Sequence, residues 1–156
     1  MADGVRWLDD AERAAWTGYR QMKRALDARV ASELTADSGL SEPDYDVLSL
    51  LNDSAAPRWC IKDLGTRLLW SPSRTSHHLA RMASRGLIDR FPCETDARGT
   101  DISLTATGRR AIETAAPAHV ESVRRHFIDQ LTPTDLADLA RITSKVTAHL
   151  RSLGQQ

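Results

Sequence analysis

The chain has 156 residues, 27% of them charged, with 21 Lys and Arg balanced by 21 Asp and Glu. This length supports a real core, and the even charge balance argues against a non-specific polybasic binder. The N-terminus MADGVRWLDDAER is charged and lacks an apolar segment, and no run approaches membrane-spanning length, so a cytoplasmic location without membrane contact is expected.

Asp9 or Asp10 can cap a first long helix, in which Leu8, Ala11, Ala15, Tyr19, Met22, Leu26, Val30 and Leu34 keep helical spacing. Trp7, Leu8 and Trp16 add apolar surface near its start. A partner subunit is expected to cover part of it, the alternative being that Trp16 packs in the core. Thr35 to Leu40 reads as a loop, after which Ser41-Glu-Pro-Asp opens a second helix with Tyr45, Leu48 and Leu51 on one side. Asp53 to Pro57 breaks that helix, and Arg58-Trp-Cys-Ile is short and strand-like. Ile61 to Leu69 forms a third helix, with Leu64 and Leu68 inward and Gly65 permitting a close neighbour.

Trp70 turns the chain into its most distinctive stretch, Ser71 to Arg90, SPSRTSHHLARMASRGLIDR. Ser71 caps a helix, Pro72 takes the first helical position where its missing N–H costs nothing, and Gly86 marks the stop. Thr75, Leu79 and Met82 share one face, while Ser73, Arg74, His77, Arg81 and Arg85 point elsewhere. From Ser71 to Gly86 there are three arginines, two histidines and four serines but no carboxylate. An ordinary surface helix mixes charge signs to gain i,i+4 pairs, so this face suits an anionic partner such as the major groove of DNA. Two helices joined by a tight turn, the second basic, make a helix-turn-helix. Between Pro57 and Leu104 eight Lys and Arg face five Asp and Glu, a net of +3 within a chain of net zero.

Leu87-Ile-Asp-Arg-Phe then alternates as a strand, Asp101-Ile-Ser-Leu is its return, and PCETDARGT between them is a hairpin tip of the kind called a wing. Thr105 caps the next helix, with Ile112, Ala116, Val120, Val123 and Phe127 inward and a kink or break expected at Pro117. Thr132 caps the last helix, with Pro133 at its first position and Asp135 in its first turn. Its apolar stripe is Leu136, Leu139, Ile142, Val146 and Leu150.

Local motifs occur in a telling order: Lys62-Asp-Leu-Gly, the basic helix from Ser71, Gly86-Leu-Ile-Asp-Arg, Asp96-Ala-Arg98, and Ser103-Leu-Thr-Ala-Thr-Gly108. Together they resemble the MarR family of bacterial transcriptional regulators over nearly the whole chain. The resemblance implies a mainly α fold, a winged helix-turn-helix with a small two- to three-stranded wing sheet flanked by N- and C-terminal dimerisation helices. Residues 41–104 would be the DNA-binding region, and 1–40 with 105–156 the helical dimerisation region. It further implies a homodimer on a palindromic operator of double-stranded DNA, acting as a repressor released when a small, often phenolic, ligand binds between the two regions. The family often has Ser or Thr where Lys62 stands, an aliphatic residue at His78 and arginine at His77. The last difference bears on base preference.

On that footing Arg74 and Arg81 are candidates for bidentate contacts to guanine. Ser71, Ser73 and Ser76 near the helix N-terminus are candidates for phosphate or base edges, and His77 for either. Thr75 belongs to the buried face. In the wing Arg98 is the candidate for the minor groove, with Asp96 orienting it or holding the loop. For each, the alternative is a solvated surface side chain. Trp16, Tyr19, Arg20 and Tyr45 offer rings and a cation for an aromatic ligand, or else pack in core or interface. The two cysteines, Cys60 and Cys93, have no metal-ligand spacing and are expected to stay reduced. Cys93 at the wing base could sense oxidation or be a passive thiol. In winged helices the first strand pairs with the third, so Cys60 and Cys93 are not expected to bridge within a subunit. A winged-helix module that binds protein instead of DNA stays open as an alternative. An enzyme is not expected: His77 and His78 have no evident carboxylate partner, and no Ser-His-Asp, metal or phosphate-loop pattern occurs, so neither cofactor nor metal is called for.

Overall fold

The computed structural model describes residues 4–93 and 99–153. Along the chain run α1 (Asp10–Ser38), α2 (Glu42–Asn52), β1 (Trp59–Cys60), α3 (Ile61–Leu68), α4 (Pro72–Ser84), β2 (Ile88–Pro92), β3 (Thr100–Leu104), α5 (Ala106–His126), a 3-10 turn (Ile128–Gln130) and α6 (Pro133–Leu153). They form two compact units. One comprises Met1–Val30 with Val120–Gln156, the other Ala31–His119.

Capping chemistry sets most boundaries. Asp9 accepts from the Glu12 N–H at 2.8 Å while its own N–H donates to the Glu12 carboxylate, a reciprocal box at the start of α1. Ser41 and Asp44 form the same box on α2, Ser71 Oγ accepts from the Arg74 N–H on α4, and Thr105 and Thr132 cap α5 and α6. One expectation is corrected and one narrowed. The loop placed at Thr35 to Leu40 is helical to Ser38, because Ser38 Oγ bonds the Leu34 carbonyl and the stop comes only at Gly39, whose φ of +70° suits glycine. Of the kink or break expected at Pro117, the break does not occur: α5 runs on through it. Pro117 and Glu113, whose carbonyl loses its donor, both face solvent, where water can replace the missing bond.

Within the Ala31–His119 unit the three strands are antiparallel in the order β1-β3-β2, with Trp59 opposite Ile102 and Arg90 opposite Ile102 on the other side. The expected pairing of first with third strand is present. β3 separates the strand of Cys60 from that leading to Cys93, and neither cysteine is in a disulfide. α3 ends one residue sooner than expected. Leu69 adopts the left-handed conformation at φ +56° and is 92% exposed, making the tight turn that leads to α4.

Leu48, Leu64, Leu79, Met82, Ile88 and Ile102 are fully buried and join α2, α3, α4 and the sheet in one core, each such side chain contributing about 1.5–3 kcal/mol. Two glycines are steric necessities. A Cβ on Gly65 would meet Thr75 Oγ1 at 2.8 Å, the close approach expected there, and one on Gly108 would meet the Leu87 carbonyl oxygen at 2.0 Å. The glycine of Leu-Thr-Ala-Thr-Gly is thereby what lets α5 start against the β2 entrance.

In the other unit Arg29 reaches His126 at 3.5 Å, and Arg124 pairs with Asp129 at 2.8 Å. Many of its large apolar side chains stay open: Trp7, Trp16, Tyr19 and Met22 on the N-terminal segment, Ile142, Val146, Leu150 and Leu153 on α6, while others such as Leu26, Phe127 and Leu139 are half-buried. Val120, expected inward, is 53% exposed, although Ile112 on the same face is buried and Val123 and Phe127 are half-buried. No helix among the described residues is long and apolar enough to cross a membrane.

Candidate nucleic-acid interface

Helix α4 is one-sided. Thr75, Leu79 and Met82 are buried as the spacing demands, and His78 joins them at 7% exposure. Ser71, Ser73, Arg74, Ser76, His77 and Arg81 are all exposed, so the candidates on this helix lie together along its outer surface. The Ser71 oxygen is used as the cap, which leaves its O–H for a phosphate. The other two candidates, Asp96 and Arg98, fall outside the described residues, between the wing strands.

Behind the outer surface lies a polar cluster that the sequence did not disclose. His78 was expected to lack a carboxylate partner, but Asp44 of α2 brings Oδ1 to 3.1 Å from its Nε2, off the hydrogen-bonding direction of the ring. Asp44 Oδ2 accepts from Arg85 Nη1 at 2.7 Å and from the Ser41 N–H at 3.1 Å. Burial works to raise the Asp44 pKa, but the bond from Arg85, with those from Ser41, outweighs it and holds the carboxyl below its ordinary value. His78 is lowered, first by burial, against the pull of Asp44 and with the help of Arg81 and Arg74. A neutral ring leaves Nδ1 able to accept, and Arg81 Nη2 stands 3.1 Å from it. The Trp70 ring meets the His78 ring edge to face at 5.2 Å, and the Arg74 guanidinium lies 4.5 Å from the Trp70 centroid.

The ligand candidates divide between the units. Trp16 and Tyr19 stack at 5.9 Å, with the Arg20 guanidinium 5.8 Å from the Trp16 ring, all on α1. Both rings are exposed in the single chain, Trp16 by 52%, which answers against core packing for Trp16. Tyr45 belongs to the other unit, where its ring lies 4.1 Å from that of His119. Burial lowers the His119 pKa despite Asp46, and its Nδ1 is buried without a hydrogen-bond partner. Among the described residues no three His, Cys, Asp or Glu side chains are grouped to hold a metal ion.

A helix-turn-helix whose second helix is basic outside and apolar inside, followed by a two-stranded wing braced by a third strand, defines a winged-helix DNA-binding protein. The model of the MarR family matches residues 40–100. The chain is 39% identical to AbsC, a MarR family transcriptional regulator from Streptomyces coelicolor, covering 95% of this chain and 99% of that one with a TM-score of 0.89. It is 31% identical to Sco3205, another MarR family regulator from the same organism solved in complex with DNA, covering 95% and 92% with a TM-score of 0.89. It is also 27% identical over 113 residues to the HTH-type transcriptional regulator PecS of Dickeya dadantii (strain 3937), spanning 71% of this chain and 67% of PecS. The chain belongs to the MarR family and is a transcriptional regulator, not an enzyme.

Proposed function

We propose that the protein is a homodimeric repressor whose two α4 helices enter successive major grooves of a palindromic operator, and that a small aromatic ligand releases it. The observation that carries the reading is the division of α4 into a buried apolar face and an exposed basic face without a carboxylate. In this reading Arg74 and Arg81 read guanines and Ser71, Ser73, Ser76 and His77 meet phosphates or base edges. Arg98 enters the minor groove beside Asp96. The DNA-bound state of Sco3205, whose chain this one matches at 31% identity, supports it.

The exposed apolar faces of α1 and α6 support the dimer: a monomer would leave Trp7, Trp16, Val146 and Leu150 in water. In this reading a second copy covers them, and the dimer's two recognition helices must match successive major grooves roughly 34 Å apart, one turn of duplex. A ligand would act by its differential affinity for two such spacings. Trp16, Tyr19, Arg20 and Tyr45 supply the chemistry for a ring bearing a carboxylate.

Selection from a randomised duplex library, followed by titration at increasing salt, tests the DNA reading. Enrichment of a palindrome, with affinity falling as counterions are released, is expected; no enrichment and no duplex retention would leave a protein-interaction module. Arg98→Ala is expected to weaken binding to the enriched duplex by about tenfold or more with the dimer intact, and unchanged affinity at moderate salt contradicts the wing assignment. Aromatic acids are then added to the complex with and without peroxide. Release by an acid alone supports the ligand, whereas release by peroxide that Cys93→Ser abolishes replaces it with oxidation sensing.

A further inference from the structure

The two candidate base-reading arginines of α4 each lie against a ring in this structure. Arg74 and His78 stand one helical turn apart on the same side of α4, and both contact Trp70 of the preceding turn. Arg81, three residues beyond His78, is held at the His78 Nδ1. His78 is in turn backed by Asp44, which Ser41 and Arg85 fix from α2 and from the end of α4. A chain of contacts therefore runs from a buried carboxylate through a buried imidazole to two exposed guanidinium groups.

Bidentate recognition of guanine requires the guanidinium plane to lie close to the plane of the base. A flexible arginine must lose its rotamer freedom to achieve that, whereas one already stacked on a ring has lost much of it. We infer that Trp70 and His78 are specificity-determining positioning residues, Trp70 setting the guanidinium plane of Arg74 and His78 fixing the reach of Arg81 toward guanine in the major groove. The inference rests on the DNA reading above and names which residues, touching no base themselves, decide what the helix reads. Half-buried packing alone would ask for any apolar residue at position 70. A flat ring beneath a cation and against an imidazole edge asks for more.

The test uses the full-length protein on its library-enriched duplex and on duplexes with each guanine replaced in turn. Trp70→Leu is expected to reduce discrimination at one guanine about tenfold while binding to an unrelated duplex, and its salt slope, stay within about twofold. Trp70→Phe, which keeps a ring face, is expected to restore most of the loss. The double variant Trp70→Leu/Arg74→Lys should lose no more at that guanine than Arg74→Lys alone, the coupling that a residue acting through Arg74 must show. Unchanged discrimination in Trp70→Leu, or additive losses in the double variant, overturns the inference. Where Trp70→Leu does not fold, His78→Leu keeps the buried site filled and removes the nitrogen that holds Arg81. Loss at a second guanine supports the inference and no loss overturns it. A wild-type chain that enriches no sequence removes the DNA reading itself, an outcome separate from a wild type that enriches one and variants that read it equally well.

Discussion

The two units of this chain handle apolar surface in opposite ways. Among the described residues every buried hydrophobic side chain, from Leu34 to Ala115, lies in the Ala31–His119 unit, where Leu69 is the one large hydrophobic left exposed. The unit made of the two termini has long amphipathic helices yet fully buries none of its described large apolar side chains, and Trp7 is 77% exposed. The first pattern is that of a module closed on its own core. The second fits the half-interface of the proposed dimer, since large apolar side chains left open on one unit suit a surface that another chain covers.

Charge placed on the open faces gives the largest expected effect. Val146→Glu with Leu150→Glu is expected to convert the dimer to monomer by light scattering and to weaken operator binding by about 100-fold or more, because two linked half-site contacts become one. A double variant that stays dimeric breaks the comparison. The same substitution in the two units should then part ways. Leu79→Ala, at the centre of the closed core, is expected to cost about 2–5 kcal/mol in chemical denaturation. Leu150→Ala should change monomer stability by less than about 0.5 kcal/mol, its effect appearing in the dimer constant instead.

The polar cluster of the closed module adds a pH dependence. The folded-state pKa of His78 lies below the ordinary 6.5, so as pH falls through 6.5 the unfolded chain takes up a proton that the folded chain resists. Stability is therefore complete above that value and declines below it until the folded group also titrates. His78→Leu should flatten much of this slope in denaturation measured between neutral and mildly acid pH. His119, lowered by burial in the same unit, keeps a remainder. An unchanged slope places the linkage elsewhere. A small gain is expected at the turn: Leu69→Gly relieves a left-handed conformation without losing packing and should raise stability by about 0.5–1 kcal/mol. A fall in stability would mean that Leu69 makes contacts its exposure does not show.

What the sequence disclosed follows the range of the interactions. Caps at Ser41, Ser71, Thr105 and Thr132 are set by atoms three residues apart, and the packing face of Thr75, Leu79 and Met82 by helical period, so all were legible. The placement of Gly65 against Thr75 was readable as a small residue facing a neighbouring helix. The pairing of Asp44 with His78 and Arg85 was not, because it joins side chains of two helices that only the tertiary fold brings together. Local signals also misled where two of them competed. Thr35 and Asp37 favour loops, yet the stronger stop at Gly39 carries α1 to Ser38, and solvent exposure lets α5 run through Pro117. A basic helix with adjacent histidines thus read as one surface, when His77 faces solvent and His78 is part of the core.

The mass of the complex between the wild-type protein and its library-enriched duplex tests the central claim most directly. Sedimentation equilibrium is expected to show two 17.3 kDa chains per duplex and a dimer in free solution, with half-sites about one helical turn apart. One chain per duplex together with a free monomer would contradict it, since the apolar faces of α1 and α6 would then have no copy of this chain to cover them.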